Sequence, residues 1–255
     1  MLNFEKINVF IRIGDSLHTS AILYLLCSII KEKSYAGISA KTQFLYAAVF
    51  ITRYLDSFMV FRSYYNTLVE VTLVLVSVCT FLLSFKMRST YERKYDFFWS
   101  EVLVAGALIL AMFVNNSLEA IEVLRTFSHY LEAVVLIPQM YMMFQSKKIT
   151  RPMILYLFFL VLYKIMYICN GIYLYNKHNQ FDAISEIAGF VNVMLFFIAL
   201  EIIWRCSKIT SHEYEQKDVT KWKNIFFISG GLTKPETAKK DAPLITEQVY
   251  QPVVV

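Results

Sequence analysis

The chain has 255 residues, 57% hydrophobic and 16% aromatic, with only 7 Gly and 5 Pro. Soluble domains sit nearer about 45–50% apolar, so the composition points away from an ordinary globular domain and toward a polytopic membrane protein. The formal net charge of +5 forms no basic stripe on a soluble fold, so nucleic acid is not an expected partner.

In chain order, a first apolar span is expected from about Ile11 to Ile30, with Asp15 and His18 inside it. No small-residue cleavage site follows before Lys31, so it reads as an uncleaved span rather than a leader. Further spans are expected at about Ile38–Phe61, Tyr64–Phe85, Phe97–Val114, Leu124–Phe144, Met153–Tyr173 and Ala183–Trp204. Their lengths suit helices crossing a hydrocarbon layer about 30 Å thick, and there are seven of them. The fifth is interrupted by Glu132 and ends near Ile137-Pro138-Gln139. Residues 1–206 are thus expected to form an all-α membrane domain, and 207–255 a cytosolic, largely disordered tail. A short interfacial segment is expected around Trp222, flanked by Lys217, Lys221 and Lys223.

Loop charge predicts orientation. Lys31 and Lys33, then Lys86, Arg88, Arg93 and Lys94, then Lys147, Lys148 and Arg151 fall on alternate connections. The positive-inside rule places these and the carboxy terminus in the cytosol, and the amino terminus on the lumenal or outer side. Asn115-Asn116-Ser117 fits a glycosylation acceptor on the other side, too near a span end to be expected to carry sugar. Cys27, Cys79, Cys169 and Cys206 have neither metal-ligand nor redox spacing and read as small apolar residues. With no nucleophile–base pair, metal set or phosphate loop, neither enzymatic activity nor a cofactor is expected.

The informative residues are ionisable groups inside the spans: Arg12, Asp15, His18, Arg53, Asp56, Glu132 and Lys164. Each such charge costs about 2.5–3.5 kcal/mol on insertion scales, so these groups are expected to face a bundle interior or a watered cavity. Arg53 and Asp56 stand three apart and share a helical face. Tyr163, Tyr167 and Asn170 follow i, i+4, i+7 and line another, with Tyr54 nearby. Such polar faces are also what helices use to cross-link within a bilayer. The ordinary pKa of His18, about 6.5, places its protonation between near-neutral and mildly acidic compartments.

Several words carry a resemblance. Gly14-Asp15-x-x-His18, Ala36-Gly37-Ile38-Ser39-x-Lys41-x-Gln43, Arg53-Tyr54-Leu55-Asp56, Tyr64-Tyr65-Asn66-Thr67, Phe127-Ser128-x-Tyr130-Leu131-Glu132, Pro138-Gln139 and Tyr163-x-x-x-Tyr167-x-x-Asn170 occur in collinear order over about residues 10–204. In these the chain resembles the KDEL receptors, which return escaped endoplasmic-reticulum proteins from the Golgi. The resemblance implies a seven-helix fold like SWEET and PQ-loop transporters, two three-helix bundles plus a linking helix. It implies a lumenal cavity for carboxy-terminal Lys/His-Asp-Glu-Leu signals, binding in acid, release at neutral pH and entry into COPI vesicles. By position, Arg53 meets the ligand carboxylate, while Asp56 and Glu122 oppose the cationic first residue of the signal. His18 is the proton switch, and Glu132, Tyr163 and Tyr167 close the network. Tyr54, Lys164, Asn170 and Arg12 complete the implied ligand-binding set.

The chain also departs from the family pattern. Gly171 stands where an aromatic follows the Asn, Leu174 where a second Arg is found, Lys164 where an Arg follows the first Tyr, and apolar Ile198 where the last helix carries an Asp. Arg12 sits two residues before Gly14 rather than three. Loss of those arginines removes partners for acidic signal residues and leaves open a receptor-like relative with a changed ligand. A small-solute transporter of the same fold, hinged at Pro138-Gln139, is the competing class.

Overall fold

The computed structural model describes residues 9–55, 64–147, 149–178 and 182–229. They form eight helices and, among the described residues, no strand: α1 (Val9–Glu32), α2 (Ala40–Arg53), α3 (Tyr64–Lys86), α4 (Ser100–Phe113), α5 (Ala120–Val134), α6 (Ile137–Ser146), α7 (Arg151–His178) and α8 (Ala183–Ser229). The chain divides into two units, Met1–Lys208 and Ile209–Val255. The second is helical as far as Ser229, through the stretch around Trp222. Residues 230–255, which hold the end of the expected disordered tail, lie outside the described residues, as do Asp56, Phe61 and Lys148.

Eight helices come from seven expected spans because the fifth is broken. Pro138 sits in the first turn of α6, where its missing N–H and its ring cannot continue α5. The two linking residues, Val135 and Leu136, keep right-handed helical dihedrals, so the chain bends rather than turns back. α2 begins with Ser39 as its cap, whose hydroxyl accepts from Thr42 N–H at 3.1 Å, and ends at Arg53. Among the described residues, four stretches are long and apolar enough to cross a bilayer: Val9–Glu32, Tyr64–Lys86, Arg151–Lys177 and Ala183–Cys206.

α1 packs mainly on α7 and also on α3, α2 packs on α3, α5 and α6, and α4 lies against α5. Gly14 allows the closest approach of α1 to α7: a Cβ there would stand 2.6 Å from Tyr167 Cε1. The outward faces are apolar, with Leu75, Phe85, Met112 and Phe197 all more than half exposed. The interior holds His18, Ser128, Glu132, Lys164 and Asn192. An apolar exterior is what a hydrocarbon solvent requires, and these polar groups sit within an otherwise apolar interior.

The loop end is pinned by polar contacts. Buried Asp96 accepts from Ser39 Oγ at 2.8 Å, Lys41 N at 3.2 Å and Tyr91 OH at 2.6 Å. Gln139 of α6 accepts from Ser39 N at 2.8 Å and donates to Gly37 O at 2.9 Å. The connection between α3 and α4 and the helix α6 are thereby both tied to the start of α2.

Candidate functional site

The site is assembled around Glu132, 1% exposed near the end of α5. Its Oε2 takes Arg53 Nη2 at 2.7 Å and Lys164 Nζ at 2.9 Å, while Oε1 accepts from Tyr163 OH at 2.8 Å. Three helices thus converge on one carboxylate. Arg53 arrives because α2 ends there, at the helix end whose dipole favours a cation. Tyr163 and Lys164 are neighbours on α7, and Lys164 also lies 5.4 Å from the Tyr163 ring centroid.

Arg53 is held further by Ser128 Oγ, which accepts from Nε at 3.1 Å, with His129 Nδ1 3.5 Å from Nη2. Ser128 in turn donates to Arg125 O at 2.6 Å. Nη1 has no partner among the described residues, and the Arg53 side chain keeps 13% of its surface open. The fork is positioned from one side and open on the other. It can accept a second carboxylate.

His18 comes from α1. Its ring stacks on Tyr163 with centroids 3.9 Å apart and planes 2° from parallel, and packs against Phe50 at 5.3 Å. It is 1% exposed and, among the described residues, Nε2 has no hydrogen-bond partner. One turn before it, Asp15 accepts from Tyr167 OH at 2.6 Å, and the Tyr167 ring meets Tyr163 edge-on at 5.5 Å. The aromatic run therefore connects Asp15 with Glu132.

Of the residues singled out in the sequence, Arg53, Glu132, Lys164, Tyr163 and His18 meet in one cluster, and Tyr167 joins it through its ring contact. Tyr54 follows Arg53 as the α2 cap and stacks on Phe50 at 6.3 Å. Asn170 lies half-buried two turns beyond Tyr163. Arg12 lies over the Tyr65 ring at 5.8 Å, and Glu122 pairs with Arg125 at 2.8 Å. Asp56, expected beside Arg53, falls outside the described residues.

Ser128, His129 and Asn192 were not legible as site residues. Asn192 of α8 is fully buried and donates to the Glu132 carbonyl at 2.6 Å, fixing the backbone behind the carboxylate. A lone hydroxyl or amide in an apolar run has no charge to mark it, although the word Phe127-Ser128 was a cue.

Two departures have a structural counterpart. A Cβ on Gly171 would lie 1.7 Å from Glu186 Oε1 of α8, so the carboxylate fills the space that a side chain there would need. Leu174 is half-buried and offers no cation, and Ile198 is exposed on the apolar surface. Among the described residues the centre holds two cations and one anion, a net +1 between helices, which favours an anionic visitor. Among the described residues no three His, Cys, Asp or Glu side chains gather as a metal site.

A family model described as ER lumen protein retaining receptor matches residues 34–174. The chain is 41% identical over 190 residues to the ER lumen protein-retaining receptor erd-2.2 of Caenorhabditis elegans, covering 74% of this chain and 89% of that one. It is 40% identical over 190 residues to ER lumen protein-retaining receptor 2 of Gallus gallus and to that of Homo sapiens, in each case over 74% of this chain and 90% of the relative.

Proposed function

The chain belongs to the ER lumen protein-retaining receptor family, and on that premise we propose that it is a pH-gated retrieval receptor. Its ligands are Lys/His-Asp-Glu-Leu-type carboxy-terminal tetrapeptides of escaped endoplasmic-reticulum proteins. It works between Golgi and endoplasmic reticulum, with a lumenal amino terminus, a cytosolic carboxy terminus and recruitment into COPI vesicles when loaded. The observation that carries the reading is the half-occupied Arg53 fork, anchored by Glu132 and Ser128 and, among the described residues, open at Nη1. A terminal carboxylate docked there completes the guanidinium's hydrogen bonding in a low-dielectric setting.

The gate follows from charge. His18 is faced by Tyr163 and Lys164 of α7, Glu132 of α5 and Arg53 of α2. With His18 neutral the centre carries +1, and with His18 protonated it carries +2. An anionic ligand stabilises the second state more, so ligand and proton each raise the other's affinity. Acid favours capture and neutrality favours release.

Binding of a carboxy-terminal tetrapeptide to the purified chain at pH about 5.5 and 7.4 tests this. Capture is expected in acid only, and Arg53→Met is expected to weaken it at least about 30-fold, the cost of removing one member of a buried charge pair. Equal binding at both pH values overturns the gate, and intact capture by Arg53→Met overturns the anchor.

A second reading, a receptor for a different carboxy-terminal sequence, is favoured by Glu186 occupying the space over Gly171 and by the missing cation at Leu174. A tetrapeptide scan that replaces the Asp and Glu positions separates the two.

A further inference from the structure

A groove of about 490 Å³ opens between the start of α2, the last turns of α3 and the start of α4. Its floor is aromatic: the Phe44 and Phe81 rings lie 5.3 Å apart, and Phe81 and Phe85 5.2 Å. Phe81 and Phe85 stand at i and i+4 on the last turns of α3, and Arg88 follows in the turn just past its end at Lys86. Lys41, Arg88 and Arg93 also line the groove, and Glu101 is the single carboxylate that does so. Lys41 Nζ is committed to the Phe98 carbonyl. Arg88 and Arg93 are exposed and carry no ion pair among the described residues.

The surroundings place this groove at a membrane surface. Phe85 is 65% exposed and continues the apolar exterior, and Phe97 and Trp99, 69% and 68% exposed, lie in the chain just before the groove residues Ser100 and Glu101. Exposed aromatics at a span end mark the headgroup level of a bilayer. α4 starts here with no side-chain cap at Trp99, and its Ser100 and Val102 amides donate instead to the Phe98 and Trp99 carbonyls at 3.0 and 3.2 Å. A second groove, of about 530 Å³, lies on the other side of the same helix end, with Ile30, Leu83 and Met87 beneath Lys33 and Lys86.

We propose that the groove between α2, α3 and α4 seats an anionic phospholipid. Its phosphate lies on the Arg88 and Arg93 forks, and the first part of an acyl chain covers Phe44, Phe81 and Phe85. Glu101 accepts from headgroup hydroxyls, which selects a hydroxyl-bearing lipid such as phosphatidylinositol. A water-soluble phosphate would leave the aromatic floor bare, so the occupant carries its own hydrocarbon. The proposal is independent of peptide capture, which takes place around Arg53.

Native mass spectrometry of the full chain in detergent tests it, with phosphatidylinositol, phosphatidylcholine of the same acyl chains, and free inositol phosphate as probes. Phosphatidylinositol is expected to be retained about ten- to thirty-fold over phosphatidylcholine, from two cations at the surface. Arg88→Gln with Arg93→Gln is expected to erase the difference without changing the thermal midpoint, because both side chains are exposed. Phe85→Ala is expected to weaken both lipids. Equal retention of the two lipids by the unaltered chain, which needs no variant to fold, overturns the proposal. So does undiminished preference in the double variant, or displacement of the lipid by inositol phosphate.

Discussion

At Glu132 two cations share one oxygen, and the exchange is unequal. Removing the charge while keeping the shape, as in Glu132→Gln, leaves Arg53 and Lys164 side by side with nothing between them but an amide. Breaking a buried ion pair this way costs about 3–5 kcal/mol. The expected readout is a large fall in thermal midpoint in detergent. Adding Lys164→Met to Glu132→Gln removes the surplus cation and is expected to recover part of that loss, a coupling that a double-mutant cycle measures. If the double variant is less stable than the sum of the singles, the shared oxygen is not what couples them.

Among the elements, the connections tied to α2 have a pH signature of their own. Tyr35 lies between α1 and α2, and its phenol is held well above the usual tyrosine range, chiefly by burial. Tyr91 lies between α3 and α4 and is raised too, by burial first and then by its hydrogen bond to Asp96. An unfolded chain releases these protons near pH 10, whereas the folded chain keeps them. The folded state therefore binds more protons above that point, and stability falls as pH rises through about 10, with no effect below it. A thermal-midpoint profile from pH 8 to 11 checks this, and Tyr91→Phe is expected to flatten its alkaline limb. A profile unchanged by that substitution would remove Tyr91 from the account.

For the molecule as a whole, the proposed orientation puts Arg88 and Arg93 on the cytosolic side. A single added cysteine, Arg88→Cys in a background without Cys27, Cys79, Cys169 and Cys206, is expected to react with an impermeant reagent only after the plasma membrane is opened and the Golgi left sealed. Labelling that requires opening the Golgi as well reverses the topology. Spans were legible because hydrocarbon demands long apolar runs; the division of the fifth into α5 and α6 was not read, although Pro138, which cannot donate or continue a helix, stands at the break. The members of the site were legible as charges out of place: Arg53, Glu132, Lys164 and His18. Their pairing was not, since the rotation and height of one helix against another are set by packing that no single segment encodes. Asn192 shows this best, an amide in an apolar run whose importance depends on which backbone lies opposite. Arg12 and Glu122 show the converse, charges whose local partners, Tyr65 and Arg125, engage them away from the cluster.

Gly171 and Glu186 belong to different helices, yet they share one volume. A ring at 171 takes the place where the Glu186 carboxylate now lies, and the carboxylate, at the far end of a flexible side chain, has to swing out of it. An aromatic restored at the first position therefore turns the acid at the second toward new surroundings, and the two sites are best varied as a pair.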